Sequence, residues 1–212
     1  MTDWVHWHDG YDNPDSTLSR RLEVVRKRIA EALDRFPAGK SRVASMCAGD
    51  GRDLLGVLQK SHPRGGDVSG RLVELNPHLA EWARASAPTR IEVSCCDAGN
   101  SDVYEGVVPV NLLLCCGVLG NITENDIQNT IDSWPMLCAP EATVIWTRGA
   151  SKPDRRPQIR EWVRLAGFEE LSFDGANEKY GVGVAKMVRA SKLYRRGVHF
   201  FSFVPEKKAI NP

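Results

Sequence analysis

The chain has no charge of either sign to spare, with 28 Lys and Arg against 27 Asp and Glu in 212 residues. That balance lacks the basic excess on which non-specific phosphate-backbone binding relies, so composition gives a nucleic-acid partner no support. Long apolar runs are also missing. The longest, Val107 to Cys116 and Ala142 to Trp146, fall well short of the roughly 20 residues a membrane-crossing helix needs. Met1 to Asp9 contain no basic segment followed by an apolar one, the pattern of a secretory signal, and a cytoplasmic location is the expectation. Metal-ligand spacing is absent as well. Cys47, Cys95, Cys96, Cys115, Cys116 and Cys138 include no CxxC with a second ligand pair, and each CC dipeptide puts its side chains on opposite faces of a strand. Reduced thiols and no bound metal are expected.

The chain does have a regular alternation of short apolar runs and helical stretches. Leu18, Leu22, Val25, Ile29 and Leu33 recur at three- and four-residue spacing, a helix that Asp15 or Ser16 would cap and that Pro37 and Gly39 would end. Beyond it, residues 42–46, 72–75, 91–95, 110–115 and 143–146 read as buried strands. The helical segments between and after them are 53–60, 78–87, a short one at 101–105, 124–137 and 157–166. Repeated βα units predict an α/β fold, a Rossmann-like three-layer sandwich with a mostly parallel seven-stranded sheet and helices on both faces. Residues 168–173, 180–189 and 198–204 read as strands without a long helix among them, which predicts an antiparallel C-terminal edge. Arg64 to Gly70 reads as a surface turn, and His199 as a packed histidine inside the last strand. No repeat or low-complexity linker divides the chain. One domain is expected over 1–212, with a lid segment and helix at 1–40, a cofactor-binding half at 41–150 and a C-terminal half at 151–212.

Three strand ends carry the candidate site. The first is Cys47-Ala48-Gly49-Asp50-Gly51-Arg52-Asp53, a turn of small residues that leads straight into a helix and lets a ligand approach the backbone. The second is Glu74-Leu75, about two dozen residues on, where a carboxylate can accept from both hydroxyls of a ribose. The third is Asp97-Ala98-Gly99. In this order the three motifs resemble those of class I S-adenosylmethionine-dependent methyltransferases. The resemblance implies S-adenosyl-L-methionine as cofactor, with Glu74 on the ribose, Leu75 against the adenine, and Asp97 with the Ala98 backbone at the adenine amino group. It also implies that the loop Cys116-Gly117-Val118-Leu119-Gly120-Asn121 lines the methyl-transfer site, with Cys116 and Gly117 on the cofactor side and Asn121 toward substrate.

Two positions depart from the family pattern. Ser45 replaces the acidic residue usual in the first strand, and Cys47 the usual first glycine. Asp53, or Asp9 and Asp12, are the carboxylates available to compensate. The loop also lacks the Asn/Asp-Pro-Pro-aromatic tetrad of enzymes that methylate planar amino groups in nucleic acids and some proteins, which disfavours a nucleobase or glutamine amide target, and the compact, charge-balanced chain turns the reading toward a small-molecule acceptor. Cys116 reads as a packing or cofactor-lining thiol rather than a nucleophile.

The aromatic stretch Trp4 to Asp12 resembles the lid that covers the cofactor in many relatives. It would bring Tyr11 near the methionine part of the cofactor, Trp7 to the substrate, and His6 or His8 into the role of base. Arg148, after the fifth strand, is a candidate for a substrate carboxylate or phosphate. Methyl transfer to the oxygen or nitrogen of a small molecule is therefore expected. A nicotinamide-dependent oxidoreductase and a non-catalytic S-adenosylmethionine-binding protein stand as alternatives, and a homodimer through the C-terminal strands is a further expectation.

Overall fold

The computed structural model describes residues 9–37, 39–60 and 62–204. A seven-stranded sheet organises them: β1 (Ser41–Met46), β2 (Val68–Glu74), β3 (Ile91–Cys95), β4 (Val110–Cys115), β5 (Cys138–Gly149), β6 (Phe168–Asp174) and β7 (Tyr180–Met187). The spatial order is β3-β2-β1-β4-β5-β7-β6. β1 to β5 pair in parallel, while β7 lies antiparallel between β5 and β6. The order of strand addition therefore reverses at β1, outward to β2 and β3 and then back to β4 on the other side, and the carboxyl ends of β1 and β4 flank the crevice where ligands bind in open α/β sheets.

The helices are α1 (Thr17–Arg35), α2 (Leu54–Gln59), α3 (Pro77–Ser86), α4 (Glu124–Leu137) and α5 (Arg156–Leu165). Strand alternation sorts the core between the two faces. Val43, Leu72, Leu112, Leu114 and Ile145 face one layer with Ile29, Leu54 and Ala83 from α1, α2 and α3. Ala44, Val73, Leu113, Cys115 and Val144 face the other with Ile131, Trp134 and Ile159 from α4 and α5. Most of these side chains are completely buried, and each large one contributes about 1.5–3 kcal/mol. Ser16, rather than Asp15, caps α1, its Oγ accepting from the Ser19 amide at 3.0 Å. Such a cap contributes about 1 kcal/mol.

Three sequence expectations change. Gly70 is inside β2 rather than in a turn, because a Cβ there would stand 2.0 Å from the Val43 carbonyl oxygen, and only glycine permits that approach of β1. β5 begins at Cys138, not Thr143, and passes an irregular step at Glu141, whose φ is +62°. Residues 198–204 are not a sheet strand. They form a strap that crosses two loops through isolated bridges, Asn100 with His199 and Ile122 with Phe203. Its amides bond to both loops, Phe200 N to Gly99 O at 2.7 Å and Val204 N to Asn121 O at 2.9 Å. His199 is consequently exposed rather than packed, its ring nitrogen 3.0 Å from Ser202 Oγ. Among the described residues, no helix is long and apolar enough to cross a membrane.

Candidate functional site

The turn after β1 adopts the left-handed conformation at alternate residues, Cys47 (φ 50°), Gly49 (φ 59°) and Gly51 (φ 73°). Glycine accepts this at no steric cost, whereas Cys47 carries it on a side chain packed against the core. A Cβ at Gly51 would come within 2.8 Å of both Leu55 and Leu72, so glycine is required there twice over. The turn is pinned by Ala48 N to Val73 O and by Gly51 N to Ala48 O, both 2.9 Å.

Glu74 closes β2 and is only 8% exposed. Its Oε2 accepts from Gly49 N and its Oε1 from Asn76 N, each at 2.8 Å. A carboxylate has about four lone-pair positions. With two of them held by backbone amides, one remains on each oxygen for a vicinal pair of hydroxyls. Beside it, Leu75 is 67% exposed. Across the β2–β3 edge, Asp97 is exposed with Oδ1 held by Gly99 N at 2.8 Å, while Ala98 is buried.

Asp53 caps α2, accepting from Leu54 N at 2.7 Å, and is 8% exposed. Burial pushes its carboxyl up to about 6, which the Leu54 amide opposes and the Asp50 charge reinforces. Asp50 itself is gripped by Arg52, whose Nε lies 2.8 and 2.9 Å from its two oxygens, and its Oδ1 also accepts from Arg52 N at 3.1 Å, so its side chain braces the turn. The Arg52 guanidinium lies 4.3 Å above the Tyr11 ring, and Arg21 Nη2 donates to the Tyr11 hydroxyl at 3.2 Å. Tyr11 is thereby fixed beside the β1 turn. Of the carboxylates available to compensate for Ser45, Asp12 is exposed and Asp53 is inside the cluster. Ser45 is buried in β1 between Leu72 and Leu114. His6, Trp7 and His8, and the side chain of Asp9, lie outside the described residues.

After β4, Gly117 (φ 78°) starts the loop, its amide donating to Thr147 Oγ at 2.8 Å. Asn121 Nδ2 returns to Gly117 O at 2.7 Å, so the loop is closed on itself and tied to β5. Burial and the nearby Asp53 charge push the Cys116 thiol far above its ordinary value, which keeps it protonated and supports the packing role over a nucleophilic one. Burial, with Glu74 and Asp97, does the same to Cys47. All six cysteines are free, and no group of three or more metal-ligating side chains occurs among the described residues.

Thr147 and Arg21, and the contact of Arg52 with Tyr11, are features of the candidate site that the sequence reading missed. Thr147 directly follows the apolar run of β5, where a single hydroxyl is a detectable signal. Arg21 sits in a charged helical stretch that looks solvated, and Arg52 in the first motif, where spacing along the chain does not reveal its Tyr11 partner. A separate recess of about 670 Å³, lined by Trp146, Phe168, Arg160 and Glu170 among others, contains none of the strand-end motifs. Its Arg160 and Glu170 are already paired at 2.6 Å.

The fold is that of the class I methyltransferases. No protein-family model matches the sequence, and no curated protein matches it. Among solved structures, magnesium protoporphyrin IX methyltransferase from Synechocystis, with bound S-adenosylmethionine, superposes with a TM-score of 0.66 at 12% identity, covering 89% of this chain and 92% of that one. The 1,6-didemethyltoxoflavin N1-methyltransferase of Burkholderia thailandensis, with bound 1,6-didemethyltoxoflavin and S-adenosylhomocysteine, gives 0.59 at 19% identity, covering 88% of this chain and 86% of that one. An O-methyltransferase family protein from Burkholderia thailandensis gives 0.60 at 15% identity, covering 84% of this chain and 62% of that one. The chain thus spans less than two thirds of the length of that last protein.

Proposed function

We propose that the protein is an S-adenosylmethionine-dependent methyltransferase acting on the oxygen or nitrogen of a small molecule. The observation that carries this reading is Glu74, oriented by two backbone amides so that both its oxygens keep a lone pair for the ribose hydroxyls. Leu75 and Asp97 flank it where an adenine would lie. Asp53 takes the role left vacant by Ser45, its carboxylate receiving the ammonium of the methionine part.

Bound S-adenosylmethionine would supply an electrophilic methyl group on sulfur. The chain contributes alignment and exclusion of water, which can account for much of the rate of an in-line displacement. The loop from Cys116 to Asn121, held by Thr147, fixes the acceptor side. A hydroxyl acceptor also has a proton to lose, and His6 and His8 are the proposed bases. His8 lies three residues before Tyr11, within about 11 Å of chain.

The nicotinamide alternative fits less well. The third glycine that brings a helix close to a pyrophosphate is replaced by the buried Leu54, and β7 is inserted antiparallel in a sheet that is wholly parallel in dinucleotide-binding folds of order 3-2-1-4-5-6. Calorimetric titration with S-adenosylmethionine and with NADH tests the choice. Saturable binding of the first, weakened in Glu74→Ala, supports the proposal; binding of NADH alone, or of neither, overturns it. Release of S-adenosylhomocysteine with any acceptor would exclude the non-catalytic reading.

A further inference from the structure

Beside the acceptor loop stands a cation with no ion-pair partner among the described residues. Arg148 is two residues past Trp146, which pairs with Cys115 of β4, so it lies next to the loop that follows β4. A Cβ on Gly120 would stand 3.0 Å from its Nη1. Its Nε is buried and makes no hydrogen bond, and among the described residues the guanidinium has no ion-pair partner. Nearby charges are already engaged. Asp154 acts on Arg148 electrostatically, but its oxygens are taken by Arg156 Nε at 2.9 Å and Nη2 at 2.8 Å. Arg155 pairs with Glu124 at 2.8 Å. Burial lowers the Arg148 pKa from its usual value, with Asp154 opposing and Arg155 adding to the effect, so the desolvation of this cation is not offset by the protein. A charged fork with an unsatisfied N–H favours an anion that accepts from Nε and an Nη together.

On the methyltransferase reading, we infer that Arg148 binds an oxyanion on the methyl acceptor, so that the substrate class is small molecules bearing a carboxylate or phosphate. The loop is tied to Thr147, the neighbour of Arg148. The guanidinium therefore holds the anion at a set distance from the methyl-transfer position, and a neutral analogue would lose both affinity and alignment.

The test titrates benzoate and inorganic phosphate separately into the full-length protein, with and without S-adenosylhomocysteine. The Arg148 Nε–H resonance is followed by ¹⁵N NMR and affinities by calorimetry. A saturable shift with benzoate alone assigns a carboxylate, with phosphate alone a phosphate, and with both an unselective oxyanion seat. In each case affinity falls at least tenfold in Arg148→Met and partly in Arg148→Lys, which keeps the charge without the fork. No saturable shift, or affinity unchanged in both variants, overturns the inference. Failure of S-adenosylhomocysteine to bind the wild-type protein would count against the cofactor reading instead, because the oxyanion titration also runs without it. Equal S-adenosylhomocysteine affinity in wild type and Arg148→Met separates the two sites.

Discussion

The two halves of the carboxyl edge are completed to different degrees. At the ends of β1, β2 and β3, Glu74, Asp97 and Asp53 are each oriented by backbone amides of an adjoining turn. At the ends of β4 and β5 the loop is closed by Thr147 and Asn121, yet Arg148 is left with an unmatched N–H. Backbone-held acids suit a ligand whose shape is constant. A side chain awaiting its counter-ion suits a ligand that varies between proteins of one fold. On the proposed function, the difference teaches where specificity would reside: cofactor recognition in the turns, acceptor recognition in single side chains brought from separate elements.

The largest expected effect comes from the cofactor half. Glu74→Ala removes the proposed ribose acceptor and leaves the Gly49 amide unpaired; with charge-assisted hydrogen bonds contributing about 1.5–3 kcal/mol, S-adenosylmethionine affinity should fall roughly a hundredfold by calorimetry. Unchanged affinity would dissolve the contrast between the halves.

Asp53 sharpens the contrast through pH. Its folded pKa of about 6 lies above the ordinary 3.8, so the folded chain holds this proton more tightly than the unfolded chain. The group therefore lowers stability as pH rises from about 4 to about 6, and the full penalty persists above that range. Asp53→Asn should gain on the order of 2 kcal/mol at pH 7.5 and little near pH 4, as read by thermal or denaturant unfolding. The wild type should gain S-adenosylmethionine affinity as pH increases through about 6, and the same substitution should weaken binding and abolish that rise.

Smaller effects follow. Asp97→Ala should weaken S-adenosylmethionine about tenfold, the cost of one hydrogen bond to a charged group. Thr147→Val, which strips the Gly117 amide of its partner, should cost about 1 kcal/mol of stability. It should also lower acceptor turnover while leaving cofactor affinity alone; a loss of cofactor affinity instead would show that the halves are not separable. Cys47→Gly relieves a left-handed backbone at the expense of some core packing, and a net gain of up to about 1 kcal/mol is expected in melting experiments.

Much of the cofactor half was legible in the sequence because it depends on spacing along the chain. Glycines needing positive φ, an acid at a strand end and strict strand alternation all leave local signatures, and β3, β4 and α4 fall where the pattern places them. What escaped depends on contacts between distant segments. Gly70 looked like a turn because nothing nearby in sequence reveals that β1 passes within reach of its Cα. The alternating apolar residues of 198–204 imitate a strand, yet their partners are loops, and a loop writes no periodicity into the segment that crosses it. The bond from Thr147 to Gly117 joins residues 30 positions apart, and Arg52 and Arg21 are indistinguishable from solvated arginines until Tyr11 is placed against them.

The strap at 198–204 adds a question of timing. It fastens the Gly99 loop and the Asn121 loop with amides that are synthesised after every other described element. During translation the sheet through β5 can begin to pair while both loops still lack their cross-tie, so the ligand cleft reaches its final form only after residues 198–204 have been made. A nascent chain paused just after β7 should therefore resist proteolysis across its central strands before it can retain S-adenosylhomocysteine.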